Sequence, residues 1–227
     1  ILPTRVYPIN RSVNAHNQRE LKKLPGKAVV YTCIDKIEPN TEKKEKRHDN
    51  ASPMFSSKEG YLKSLKDQAP DKVTLKPGSQ VSLTYNVDLD MGLANGTKGV
   101  VVRCLENEVV CRFNNIAHEV VITPVSWVVK DHIWVASRSI IPLKLAWASS
   151  IHKCQGETTG KIIVDLESVF EAGQAYVALG RAPSLEHIFV INFDPKKIKV
   201  NAKAKKFDEK MRMKDFITVE AYKDEFI

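Results

Sequence analysis

Apolar positions fall along this chain in two textures, and each predicts a different kind of element. The first is a solid apolar run followed by a helically spaced one. Ile1-Leu2-Pro3-Thr4 reads as the end of a buried strand, and residues 10–24 carry Val13, Leu21 and Leu24 among polar neighbours before stopping at Pro25-Gly26, a strong helix terminator. Residues 27–34 are β-branched and apolar enough for another buried strand. The same texture returns from residue 140. It predicts a strand over 142–147, a polar turn with a helix starting near His152, a strand over 161–165, a helix over about 171–179 and a strand over 188–193. Helices alternating with strands that are apolar on both faces predict a parallel sheet covered by helices.

Between these stretches lies the second texture, short strands set off by turns. Strands are expected at 73–75, 80–85, 99–104, 109–113 and 118–123, with another at 127–129; Asn95-Gly96 and Glu106-Asn107 supply turn chemistry. So many short strands without an intervening helix suggest a small antiparallel barrel of the SH3 or OB kind. The expected fold class is therefore α/β, a parallel-sheet domain interrupted by an inserted antiparallel β-barrel. Residues 35–60 shift in composition and read as an exposed, partly mobile loop. Their densest charge run, Glu42-Lys43-Lys44-Glu45-Lys46-Arg47, mixes both signs as a solvated surface does.

Composition narrows the function classes. A chain of 227 residues with 43% hydrophobic and 27% charged side chains can bury a sizeable core, in one large domain or two small ones. Cys33, Cys104, Cys111 and Cys154 form no C-x-x-C pair and lie too far apart for a zinc ribbon, so they read as reduced thiols in an intracellular protein. No apolar run approaches the roughly 20 residues that span a bilayer, and no signal-peptide pattern opens the chain, so neither a membrane nor secretion is expected. Because the chain opens inside a strand, it is expected to be a fragment of something longer. A formal charge of +8 is compatible with a polyanionic partner.

Two segments carry candidate chemistry. Ala148-Ser149-Ser150-Ile151-His152-Lys153-Cys154-Gln155-Gly156 follows an expected strand and opens a helix, where backbone N–H groups and small hydroxyls can hold a phosphate. Ser150, His152 and Lys153 are its polar reach, although an N-cap serine beside a half-buried histidine would look the same. Gly173-Gln174-Ala175-Tyr176-Val177-Ala178-Leu179-Gly180-Arg181-Ala182 is an amphipathic helix whose Arg181 either reaches outward or complements the helix's negative end.

In this order and spacing the two segments resemble motifs V and VI of superfamily-one helicases, with wording closest to the PIF helicase family: Ser150-Ile151-His152-Lys153-Cys154-Gln155-Gly156, then Tyr176-Val177-Ala178-Leu179-Gly180-Arg181-Ala182. Leu2-Pro3-Thr4-Arg5 and its helix resemble motif IV, Gly78-Ser79-Gln80-Val81 the family's G-A-Q-V strand, and Gly92-Leu93-Ala94-Asn95-Gly96-Thr97 its G-L-x-N-G-T turn. The resemblance covers most of the chain and implies the second of two RecA-like motor domains, carrying an SH3-like insertion. Its implied divisions are 1–71 and 136–227 for the RecA-like part and 72–135 for the insertion.

The likeness also assigns roles. Arg181 would be the arginine finger, with Gln155, Gly156 and Arg5 near the nucleotide phosphates. Ser150, His152 and Lys153 would contact single-stranded DNA, and Lys98, beside the Asn95-Gly96 turn, would do so from the inserted barrel unless it is merely a soluble turn residue. ATP and Mg2+ would be held mainly by an N-terminal RecA-like domain, which the resemblance makes this chain's partner along with single-stranded DNA, in a monomer moving five-prime to three-prime. No G-x-x-x-x-G-K-[ST] occurs, so the chain alone is expected not to hydrolyse ATP. The competing expectation is a non-enzymatic nucleic-acid-binding or scaffolding module. Cys154, Gly180 and His187 depart from the family wording, and Gly180 is expected to loosen the helix end before Arg181, since glycine weakens helices by roughly 1 kcal/mol relative to alanine.

Overall fold

The computed structural model describes residues 2–41, 54–55, 57–154 and 161–223, with side chains as far as residue 212. The fold is mixed α/β, with one parallel sheet and several antiparallel ones among the described residues. In chain order the first elements are β1 (Thr4–Tyr7), α1 (Asn10–Lys23), β2 (Val29–Thr32), β3 (Ile34–Pro39) and α2 (Lys58–Gln68). There follow β4 (Lys72–Leu75), β5 (Gln80–Leu83), β6 (Lys98–Cys104), β7 (Val109–Phe113), β8 (Glu119–Ile122), β9 (Val125–Lys130), β10 (Trp134–Ile140) and β11 (Leu143–Leu145). The remainder is β12 (Ala148–Ser150), β13 (Ile162–Asp165), α3 (Gln174–Leu179), β14 (Ile188–Ile191) and α4 (Ala202–Lys223). No helix among the described residues is long and apolar enough to cross a membrane.

The chain divides into two compact units, one of Pro3–Ala15 with Ala148–Ile227 and one of Ile1–Leu2 with His16–Trp147. The first holds the parallel sheet, in strand order β12-β1-β13-β14. β1 lies between partners that come much later in sequence, with Arg5 opposite both Ala148 and Ile163, and it starts at Thr4, where the strand expected from residues 1–4 was to end. Val6, Ile162 and Val164 share one face and pack with Ile151, Cys154 and Leu166 against Ala175 and Ala178 of α3. Alanines one turn apart let this short helix sit close to the sheet. Packing must hold it, because an isolated helix of this length would not persist in water.

The second unit is antiparallel. One sheet runs β11-β5-β6-β7-β8, another β3-β10-β9, and β2 pairs with β4. Every residue of β5 is buried, and Leu83, Val101, Val109, Cys111, Phe113 and Ile122 share a core with Tyr61 and Leu65 of α2. All six strands expected between residues 73 and 129 are present, and β2, β3, β10 and β11 join their sheets from outside that interval.

Three local expectations need correction. Residues 35–60 were expected as a loop, but β3 pairs with β10 from Ile34 opposite Ser139 to Pro39 opposite Trp134, and α2 begins at Lys58; residues 42–53 and 56 lie outside the described residues. β3 is mostly exposed, so ladder hydrogen bonds rather than apolar alternation make it a strand. The strand expected over 142–147 is split in destination. Leu143–Leu145 pairs antiparallel with β5, and the parallel strand is the next one, Ala148–Ser150, whose small residues carry little apolar signal. Near His152 the chain makes a single turn, and residues 155–160 lie outside the described residues.

One side chain explains why β10 escaped the pattern. Arg138 occupies an inward position between Ala136 and Ile140 and is 1% exposed. Its Nε and Nη2 each donate to an Asp35 carboxylate oxygen at 2.8 Å, while Nη1 donates to the Asp71 carboxylate at 3.0 Å and the Ala69 carbonyl at 2.9 Å. The fork geometry satisfies a cation that would otherwise be untenable in the core. It ties β3 and β10 to the end of α2.

Asp131, in the turn between β9 and β10, organises a second polar cluster. Its carboxylate accepts from the Tyr61 hydroxyl and from the N–H groups of Met54, Ile133 and Trp134. Burial pushes this carboxyl up, but those donors outweigh it and hold the group well below the usual aspartate range.

Two outcomes are expected. Arg138→Ala should lower unfolding free energy by about 3 kcal/mol or more, because it removes one partner of a buried pair, whereas Asp71→Ala, at a carboxylate 70% exposed, should cost under about 1 kcal/mol; chemical denaturation of both variants checks the contrast. For Asp131 the folded form binds its proton less tightly than the unfolded chain. Its stabilisation should therefore be complete above the ordinary aspartate range, near pH 4, and fade as the pH falls below it. Denaturant midpoints from pH 7 to pH 3 should show that loss in the parent chain and a shallower one in Asp131→Asn.

Candidate functional site

The polar turn after β12 is built on alternating commitments. Ile151 and Cys154 are each 1% exposed and belong to the core beneath α3, while His152 and Lys153 between them face solvent. The Ile151 N–H donates to the Tyr7 carbonyl at 3.0 Å and the Cys154 N–H to the Ser150 carbonyl at 3.1 Å, closing one helical turn. Two apolar residues three apart thus fix the turn and leave its imidazole and ammonium on the solvent side. A thiol at 154 suits this slot because it behaves as a small hydrophobe.

Ser150 itself ends β12 opposite Tyr7 and is 3% exposed, so its place is the sheet's carboxyl edge rather than the open surface. Outside such strand ends, ligands of open α/β sheets gather. His152 Nε2 stands 3.6 Å from a carboxylate oxygen of Glu171, in the segment leading into α3.

α3 carries the other motif. Gly173 enters it with φ +80°, a conformation an L side chain rarely adopts, and its N–H donates to the Lys199 carbonyl at 2.9 Å. Gln174 is buried, and its Oε1 accepts from the Phe170 N–H at 3.2 Å, which fixes the approach to the helix, while its Nε2 is buried with no hydrogen-bond partner. At the far end Arg181 Nε donates to the Val177 carbonyl at 2.9 Å, folding the guanidinium back along its own helix and leaving its two terminal nitrogens to project. Gly180 ends the helix at φ −72°, a conformation open to any residue, and a methyl group there would meet the Tyr176 carbonyl at an ordinary 3.4 Å. The looseness expected from Gly180 therefore rests on chain entropy, with Arg181 held by a hydrogen bond of its own.

Arg5 sits in mid-sheet on β1, half-buried, and its Nε is buried with no hydrogen-bond partner. Such a donor costs free energy unless something accepts from it. Lys98 opens β6 in the antiparallel unit, opposite Ser82 and beside the Asn95-Gly96 turn. The parallel-sheet unit thus holds Arg5, Ser150, His152, Lys153 and Arg181 together, and Lys98 belongs to the other unit. Gln155 and Gly156 lie outside the described residues. Sequence reasoning passed over Glu171, because an exposed glutamate before a helix carries no signal until its neighbour in space is known. Among the described residues no group of three or more His, Cys, Asp or Glu is placed to hold a metal ion.

Comparison with known proteins follows the same outline. No family model matches the chain. Its sequence is 38% identical over 218 residues to the ATP-dependent DNA helicase PIF1 of Xenopus laevis, covering 93% of this chain and 31% of that protein. Its fold is similar to the crystal structure of Pif1 helicase from Candida albicans, with a TM-score of 0.76 and 30% identity, covering 93% of this chain and 50% of that one. A Bacteroides Pif1 helicase crystallised in complex with ADP-AlF3 and ssDNA matches with a TM-score of 0.64 and 25% identity over 93% of this chain and 45% of that one. The chain spans about a third of the length of the curated relatives it matches.

Since the backbone at residue 180 is in a conformation open to alanine, Gly180→Ala should stabilise the chain by roughly 0.5 kcal/mol, chiefly by restricting the unfolded state. Thermal denaturation with an unchanged or lower midpoint would contradict the C-terminal geometry of α3 described above.

Proposed function

The chain belongs to the PIF1 family of helicases, and from that premise we propose that it is the C-terminal motor half of an ATP-dependent DNA helicase that translocates five-prime to three-prime on single-stranded DNA. The observation that carries the reading is the shared core under α3. Ile151 and Cys154 fix the His152-Lys153 turn on the same apolar cluster that seats Ala175 and Ala178 of the helix ending at Arg181. A group that meets DNA and a group that meets nucleotide would then move as one body.

On this proposal residues 1–71 and 136–227 form a RecA-like domain and 72–135 an SH3-like insertion, and the chain works as a monomer with an N-terminal RecA-like domain. ATP and Mg2+ are held mainly by that partner domain, which supplies the phosphate-cradling loop this sequence lacks; the chain alone is inactive. Arg181 is the arginine finger, neutralising charge that develops on the transferred phosphoryl group. Its fit to an anion rests on nitrogens left over after Nε is engaged by Val177. Arg5 is the second cationic contact, and its buried, unpartnered Nε is a donor suited to a phosphate oxygen. Gln155 and Gly156 complete the phosphate contacts.

His152 and Lys153 meet the DNA backbone, with Ser150 beneath them and Lys98 contributing from the insertion. Contacts of this kind bind without reading sequence, as a motor stepping along any strand requires. Support comes from the related Bacteroides structure, which holds both a nucleotide analogue and single-stranded DNA.

In a protein that joins this chain to its phosphate-binding half, Arg181→Ala should reduce ATP hydrolysis on the order of 10^3-fold or more while leaving single-stranded DNA affinity within about two-fold. Phosphate-release and anisotropy assays read the two quantities separately. Near-normal hydrolysis would remove Arg181 from the mechanism.

A further inference from the structure

Glu171 is an acidic group set against the cationic face of the turn after β12. Its carboxylate lies 3.6 Å from His152 Nε2, and the two side chains are 55% and 60% exposed. Among the described residues His152 is its one ion-pair partner. The backbone around Glu171 is held, since the Gln174 N–H donates to the Glu171 carbonyl at 3.4 Å and the Phe170 N–H to the Gln174 side chain at 3.2 Å. A fixed main chain thus presents a carboxylate to the imidazole from the side of α3.

We propose that Glu171 occupies the position on His152 that a DNA phosphate takes, so that it restrains single-stranded DNA binding. The inference rests on the DNA face assigned above. A carboxylate and a phosphate offer an imidazole N–H the same thing, an anionic oxygen acceptor, and His152 cannot serve both with one nitrogen. Exposure makes the exchange easy. An ion pair this open to water is worth so little that a polyanion displaces it readily, particularly when it also gains the neighbouring Lys153 and releases counterions.

The test is a double-mutant cycle on this chain, read by anisotropy of a fluorescent oligothymidine at low salt. His152→Gln should weaken binding several-fold. Glu171→Gln should strengthen it by about two- to five-fold, the range set by an exposed ion pair. In the doubly substituted chain Glu171→Gln should bring no gain over His152→Gln alone. Glu171→Asp, which keeps the charge and shortens the reach, should also strengthen binding, whereas Glu167→Gln, another exposed acid nearby, should change it little. Equal gains from Glu171→Gln with and without His152 would reduce the effect to net charge and overturn the inference, as would an unchanged affinity in Glu171→Gln while His152→Gln weakens binding. No loss in His152→Gln would overturn the DNA face along with it. Both side chains are surface groups, so circular dichroism should report an intact fold throughout.

Discussion

A single buried amide holds together stretches of chain that sequence separates widely. Gln80, 2% exposed, accepts from the Leu2 N–H at 2.9 Å through Oε1 and donates through Nε2 to the carbonyls of Leu2 and Ala146, both at 3.1 Å. The Ala146 N–H returns a bond to the Gln80 carbonyl at 2.8 Å. Leu2 runs on into β1 and Ala146 into β12, adjacent strands of the parallel sheet. Because the side chain satisfies main-chain groups at both points, no apolar residue of similar size could replace it without stranding buried donors and acceptors.

The second organising theme is charge placed inside rather than around the antiparallel unit. Arg138 and Asp131 are each satisfied by several partners, and each adds polar ties between segments that also share the apolar core. β3 is the clearest case, since it is mostly exposed along its length yet ends against a buried guanidinium. Such groups specify one arrangement because any other leaves a charge unmatched, even where their net contribution to stability is small.

These same features mark the boundary of what the amino-acid order disclosed. Strands β13 and β14 of the parallel sheet, the six antiparallel strands and α3 were legible because their apolar spacing is regular, and the five motif segments were legible as wording. β10 was not, because a buried arginine at a core position breaks the alternation that identifies a strand, and β3 was not, because it is mostly exposed. The destination of residues 143–145 was hidden for another reason, as periodicity tells that a strand is buried and not which sheet receives it. Within the candidate site, Arg5, Arg181 and the His152-Lys153 turn stood out as residue types, whereas the environment of each did not. The hydrogen bond from Arg181 to Val177, the orphaned donor on Arg5 and the carboxylate of Glu171 beside His152 exist only once the chain is folded.

The thiol that replaces the family's usual serine at position 154 has an experimental consequence. Cys154 is the only cysteine in the parallel-sheet unit, and Cys33, Cys104 and Cys111 all belong to the other. Cys154 is 1% exposed beside His152 and Lys153, so a thiol reagent reaches it only through local opening of this part of the unit. Alkylation at this one sulfur therefore behaves as a clock on the opening of the site, a natural reporter that ticks separately from the rest of the molecule.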